Sequence, residues 1–228
     1  LAKHLKKITK DFDTKIIVYL RRQDDLLESL YVQSIHEGFS HNFNDFISTY
    51  YKDGYFNLGA ISKELGDFKF AAKCFKTVIQ LDPRNQNGLF SLGNLSFESG
   101  KHQEALDYFQ SSLNVNTNHA KTHLSMGTVY QEINQPQKAV ACYNMAIKLE
   151  PDLINAHFNL GTVLQSLGKY KEALSSYKAT LKIAPPSADI HNHIALVYLK
   201  LGEYQKAKEN FRAGLKLDPE NPSLLNNL

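Results

Sequence analysis

Tryptophan is absent from the 228 residues, and only two cysteines are present, Cys74 and Cys142. Two thiols without a CxxC spacing argue against a disulfide framework or a zinc site, and they suit a reducing compartment. No uncharged apolar run approaches the ~18 residues that a membrane span needs. Leu1 to Lys10 is charged and has no apolar core behind it, so it does not read as a secretory leader. A cytoplasmic setting with no membrane partner is therefore expected. The chain does not open on Met, and a piece of something longer is expected. Charge of one sign is not concentrated either. Residues 1–51 carry seven basic and seven acidic side chains, and residues 52–221 carry nineteen and sixteen. Nucleic acid calls for a denser basic stripe, so it is not an expected partner.

What is present is ordinary in amount and unusual in order. Hydrophobic residues make up 43% and charged residues 21%, a globular composition. Gly59, Gly93, Gly127, Gly161 and Ala195 recur every 34 residues, as do Ala71, Ala105, Ala139, Ala173 and Ala207. Phe75, Phe109, Tyr143, Tyr177 and Phe211 keep the same interval. So do Pro83, Pro151, Pro185 and Pro219, with Thr117 in the second slot. Five units of 34 residues fill 52–221, bounded as 52–85, 86–119, 120–153, 154–187 and 188–221.

Each column has a physical task. Leu58, Leu92, Met126, Leu160 and Ile194 precede the Gly/Ala column and belong to the inner face of a first helix. The small residue lets a second helix approach. Gly66, Gly100, Gly168 and Gly202, with Asn134 in the third unit, fall where the first helix must end in a left-handed turn. The Ala column and the aromatic four residues on share one face of the second helix. Proline then closes the unit, because it cannot continue a helix. The pattern predicts helix–turn–helix units.

These columns resemble the tetratricopeptide repeat family, at its repeat positions 7, 8, 15, 20, 24 and 32. The resemblance implies an all-α, right-handed α-solenoid over 52–228, behind a short mixed strand/helix segment at 1–51. Position 4, often Trp in that family, is Tyr55, Leu89, His123, His157 and His191 here. Residues 222–228 fall as positions 1 to 7 of a truncated sixth unit, which leaves the last apolar face without a polar cap. The resemblance also implies a concave groove that binds an extended peptide or partner protein. Its lining would be Phe56, Phe90, Leu124, Phe158 and Asn192 at position 5, and Asn57, Ser91, Ser125, Asn159 and His193 at position 6. Position 9 adds Ala60, Asn94, Thr128, Thr162 and Leu196, and position 2 adds Asp53, Asn87, Lys121, Asn155 and Asp189.

Position 6 resembles the asparagine ladder of O-linked N-acetylglucosamine transferases, kept here by Asn57, Asn159 and Asn227. An amide suits backbone recognition because it donates and accepts at once. The carboxylate clamp of chaperone-binding members is not matched: Asn94 fits, but Phe90 stands where a Lys is required. A neutral, partly aromatic groove favours an extended peptide with apolar anchors.

Other constellations resolve without catalysis. His123, His157 and His191 lie one repeat apart, about 10 Å in packed helices, too far for one metal ion, and read as packed side chains. Gly93 to Lys101 has six residues between its glycines, and His102 follows the Lys, so the Walker spacing fails. No catalytic residue and no metal is assigned.

The first fifty residues follow another pattern. Lys15 to Leu20 reads as a short buried strand, Arg21 to Tyr31 as a helix, and Phe39, Phe43, Phe46, Ile47 and Tyr50 as a further helix leading into the first repeat. Strand, then Arg21, Asp25, Ser29 and Tyr31, resembles the 3′-phosphate-binding segment of sulfotransferases that use 3′-phosphoadenosine 5′-phosphosulfate. That resemblance implies Arg21 and Ser29 as phosphate contacts, although the family's Gly-containing 5′ loop has no counterpart here. No cofactor other than that nucleotide is raised.

The expected function is a protein–protein interaction module. The alternatives are the substrate-recruiting arm of a larger transferase, sulfotransferase before glycosyltransferase, and self-association through the uncapped C-terminal face.

Overall fold

The computed structural model describes residues 43–227, and every regular element among them is an α-helix. The strand expected at 15–20, the helix at 21–31 and the phosphate contacts Arg21 and Ser29 lie outside the described residues, as does Leu228. The chain divides into two compact units between Pro83 and Arg84. The first holds α1 (Phe43–Glu64) and α2 (Phe68–Leu81). The second holds four further hairpins: α3 (Gln86–Glu98) with α4 (His102–Val115), α5 (Ala120–Glu132) with α6 (Pro136–Leu149), α7 (Ile154–Ser166) with α8 (Tyr170–Ile183), and α9 (Ala188–Lys200) with α10 (Tyr204–Leu217). A short α11 (Pro222–Asn226) follows.

One boundary differs from expectation. The separate helix expected ahead of the first repeat is continuous with it, so α1 runs for 22 residues. Nothing between Phe43 and Glu64 is strong enough to break it: there is no Pro, and Gly54 and Gly59 each cost only about 1 kcal/mol in a helix interior.

The turn inside each hairpin closes the same way five times. Gly66, Gly100, Gly168 and Gly202 have φ between 72° and 82°, and Asn134 has φ 54°. In the third hairpin the Asn134 amide donates to the Gln131 carbonyl at 3.1 Å, and the Gln135 amide donates to the Tyr130 carbonyl at 2.8 Å. In the fourth, Gly168 and Lys169 repeat the pair onto Gln165 and Leu164 at 3.0 and 2.9 Å. This double bond satisfies the free carbonyls at the helix end.

Packing within a hairpin explains the Gly and aromatic columns together. A Cβ added at Gly59, Gly93, Gly127 or Gly161 would stand 2.4–2.8 Å from the nearest ring atom of Phe75, Phe109, Tyr143 or Tyr177 respectively. The glycine thus makes room for one ring, which lies flat on the first helix. Packing between hairpins of the second unit uses another pair of columns. Thr122 opens α5 against Ser112 of α4, with hydroxyls 3.4 Å apart and both side chains buried. At the far end Leu224 of α11 is wholly buried, and a Cβ on Gly214 of α10 would meet its Cδ1 at 2.8 Å. One apolar cluster runs from Ala139 to Leu224, a second gathers Ala105, Phe109, Met126 and Val129, and Tyr130 packs on both.

Candidate functional site

The first helices of the second unit, α3, α5, α7 and α9, present the positions expected to line a groove. Side chains from successive hairpins meet there. Ser125 donates to Asn94 Oδ1 at 3.3 Å, and Asn227 donates to Asn192 Oδ1 at 3.1 Å. The Phe90 ring packs on Phe109 at 5.8 Å and takes His119, at the end of the same repeat, edge-on at 5.3 Å. Phe158, two units later, packs on Tyr177 at 5.8 Å and takes His193, from the next repeat, edge-on at 5.2 Å. Phe90, Leu124 and Phe158 are half-buried, so each keeps an apolar edge open. Ser91, Thr128, Asn159 and Thr162 are half-buried on the same face. In the first unit Phe56 packs on Phe75 at 5.5 Å, and Asn57 is exposed.

Beneath the middle of this face lie two tyrosines that sequence reasoning placed in the core and left there. Tyr143 and Tyr177 are wholly buried, yet both hydroxyls reach the face. Tyr143 donates to Gln131 Oε1 at 3.0 Å, with Thr128 Oγ1 at 3.5 Å. Tyr177 donates to Gln165 Oε1 at 2.9 Å, with Thr162 Oγ1 at 3.4 Å. Each threonine spends its own proton one turn back, on Leu124 O at 3.2 Å and Phe158 O at 3.1 Å, and so is left to accept. The next repeat adds to each cluster: the Asn159 side chain holds the Tyr143 phenol down slightly against the larger effect of burial, and His193 Nδ1 lies 3.3 Å from the Tyr177 hydroxyl. Burial pushes both phenols up, and they stay neutral donors.

Gln131 and Gln165 were missed as candidates. A signal did exist in three columns read jointly. Where position 24 is Tyr, position 9 is Thr and position 12 is Gln. Where it is Phe, as at Phe75, Phe109 and Phe211, those positions are Ala60 and Lys63, Asn94 and Phe97, and Leu196 and Leu199.

Electrostatically the face is quiet. His119 and His193 are held below the ordinary imidazole range by burial, with Asp189 pulling His193 weakly the other way. Both imidazoles are therefore neutral at pH 7. The charged residues at position 2, Lys121 and Asp189, are exposed.

The histidines at position 4 serve the scaffold. His123 Nε2 lies 3.1 Å from the Thr117 carbonyl, and His157 Nε2 lies 2.8 Å from the Pro151 carbonyl, each tying a first helix to the loop before it. His191 turns instead to Asn210 at 3.2 Å. They are half-buried and hydrogen-bonded rather than packed in an apolar core. Among the described residues no group of three or more His, Cys, Asp or Glu is placed to hold a metal. No described helix is long and apolar enough to cross a membrane. Both thiols are free, and burial raises Cys74 to about 12 and Cys142 to about 11, so neither is a thiolate at neutral pH.

Comparisons with known proteins agree with this geometry. Family models described as tetratricopeptide repeat match residues 52–85, 87–152, 142–175 and 188–221, and one described as TPR repeat matches 162–202. A crystal structure of MamA protein is 26% identical with a TM-score of 0.67, covering 73% of this chain and 91% of its own. "MamA 41-end" from Desulfovibrio magneticus RS-1 is 17% identical with a TM-score of 0.69, covering 75% and 97%. YrrB, described as a TPR protein with an unusual peptide-binding site, is 22% identical with a TM-score of 0.66, covering 76% and 89%. Among curated proteins, none matches.

Proposed function

The chain belongs to the tetratricopeptide repeat family and is a protein-interaction module, and on that premise we propose that it binds an extended peptide or partner segment along the first-helix face of its second unit. The observation that carries the reading is the continuity of that face. Open apolar edges at Phe90, Leu124 and Phe158 run beside uncharged polar groups that join one repeat to the next. Rings supply area at low entropy cost, and the polar row supplies orientation. The residues assigned to the partner are Phe90, Ser91, Asn94, Leu124, Ser125, Thr128, Phe158, Asn159, Thr162, Asn192 and His193. Phe56 and Asn57 hold the same repeat positions in the first unit. Two protonated thiols suit a cytoplasmic setting.

Peptides selected on the full chain from a random twelve-residue library test the reading. Phe158→Ala with Asn159→Ala should weaken them at least tenfold, and His123→Ala, on the scaffold, should not. Equal loss from both changes refutes it.

Self-association is a second reading, favoured by the C-terminal end. There Leu217 is 48% and Leu225 55% exposed beside the buried Leu224. Mass in light scattering should then grow with concentration, and Leu225→Glu should hold it at the monomer value. A mass independent of concentration refutes this reading.

A further inference from the structure

Around Tyr177 the hydrogen bonds run in one direction. Its hydroxyl has a single proton and three neighbours: Gln165 Oε1 at 2.9 Å, Thr162 Oγ1 at 3.4 Å and His193 Nδ1 at 3.3 Å. The Gln165 oxygen can only accept and is the nearest, so the phenol proton goes there. Nδ1 of His193 then faces the lone pairs of the phenol oxygen. A bare nitrogen in that place would set lone pair against lone pair. The neutral ring therefore carries its proton on Nδ1 and leaves Nε2 bare. Two rings hold the imidazole in this pose: it stacks on Tyr177 at 5.3 Å with 29° between the planes, and it meets Phe158 edge-on.

Among the described residues Nε2 of His193 has no partner. The buried side-chain atoms left unpartnered among them are Gln86 Nε2 and His102 Nδ1, so Nε2 of His193, like Nε2 of Gln165, reaches solvent. The chain from His193 through Tyr177 to Gln165 thus shows an acceptor at one end and a donor at the other, beside the open edge of Phe158. Of the position-6 residues Asn57, Ser91, Ser125, Asn159 and His193, only the last titrates near neutral pH. Its surroundings add little charge. Phe158, Thr162 and Gln165 of α7 are neutral, Tyr177 of α8 is protonated, and α11 carries no titratable side chain. The one charge acting on the ring, from α9 itself or from α10, is that of Asp189.

A bare Nε2 calls for an N–H. An extended segment brings main-chain N–H groups that pair with nothing of its own, and one pressed on this face without an acceptor is costly to bury. We propose that His193 Nε2 accepts a main-chain N–H of the bound segment, that Tyr177 is the positioning residue that keeps it an acceptor, and that protonation of Nε2 releases the segment. This rests on the first-helix face being the binding face. Acid puts a hydrogen where the bond needs a lone pair and brings a positive charge into an uncharged face, so release follows falling pH. Because burial holds the imidazole down, the change comes below the ordinary value of about 6.5.

Peptides enriched on the full chain from the twelve-residue library are the probe. At pH 7.5, two-bond nitrogen–proton NMR of the imidazoles should place the His193 proton on Nδ1. In Tyr177→Phe, which matches Phe109 and Phe211 of the same column, the proton should no longer be fixed there. The loss of affinity from pH 7.5 to pH 5, with circular dichroism showing the fold intact at both, should be at least about threefold greater in wild type than in His193→Asn. Methylating the peptide N–H groups one at a time should find one position that costs wild type about fivefold, the worth of one ordinary hydrogen bond, and costs His193→Asn nothing. A wild-type proton on Nε2, equal pH losses in the two proteins, or no such methyl position overturns the proposal, and the face stands if Phe158→Ala abolishes binding. If Phe158→Ala leaves binding intact, or if nothing is enriched, the face and the acceptor fall together.

Discussion

Replacing Gly127 with Ala sets two effects of opposite sign against each other. Ala is favoured over Gly in a helix interior by about 1 kcal/mol. Against this, the new Cβ would stand 2.5 Å from Tyr143 Cε1 and 2.7 Å from Cδ1. Ordinary carbon contacts begin near ~3.5 Å, so the ring must withdraw by about 1 Å. Tyr143 is wholly buried and its hydroxyl is pinned to Gln131 at 3.0 Å. A withdrawal of that size breaks the bond, worth about 1 kcal/mol, and overpacking adds about 1–3 kcal/mol. The net expectation is a loss of about 1–3 kcal/mol. The fifth repeat shows that the column tolerates a methyl when the ring is free to settle, since Ala195 occupies it opposite Phe211, which has no hydroxyl. Tyr143→Phe should therefore shrink the Gly127→Ala penalty by about 1 kcal/mol. Urea unfolding of the four proteins, followed by helical circular dichroism, measures both numbers. A Gly127→Ala variant more stable than wild type, or an equal penalty in both backgrounds, refutes the reasoning.

Two further outcomes are expected. Gly214→Ala places a Cβ 2.8 Å from Leu224 Cδ1 and should unseat α11, seen as faster amide exchange at Leu224 and Leu225 with little change in melting temperature; unchanged exchange would contradict the packing. Because burial lowers the folded-state pKa of His119 and His193, the unfolded chain takes up protons first as the pH falls. Their stabilising contribution is then fully present above the ordinary imidazole value of about 6.5 and lost below it. Melting temperature should drop between pH 7 and pH 5, and drop less in the His119→Asn, His193→Asn double variant; identical profiles would exclude the two imidazoles as the cause.

The repeat was legible because its demands are local or fall at fixed spacing. A left-handed turn requires Gly66 or Asn134, a ring lying on a helix requires a glycine beneath it, and a 34-residue interval exposes both. The columns on the first helices could be read as a face for the same reason: one helical period puts positions 2, 5, 6 and 9 on one side. The length of α1 was not, because a missing breaker is a weaker mark than a present one. Nor were the roles of Gln131 and Gln165. The partner of each is a phenol twelve residues on, and only the close approach of the two helices lifts that hydroxyl through the floor of the face. The position-4 histidines looked like core residues because the family column is aromatic, yet the loop carbonyls that hold two of them lie six residues back, around a bend. Sequence alone thus determined the hairpin, its period and which positions look outward, since these follow from backbone geometry and residue size. Tertiary structure decided which polar atoms find one another across helices and repeats, and so which donors remain free for a partner, because a hydrogen bond between separate helices leaves no trace in either one alone.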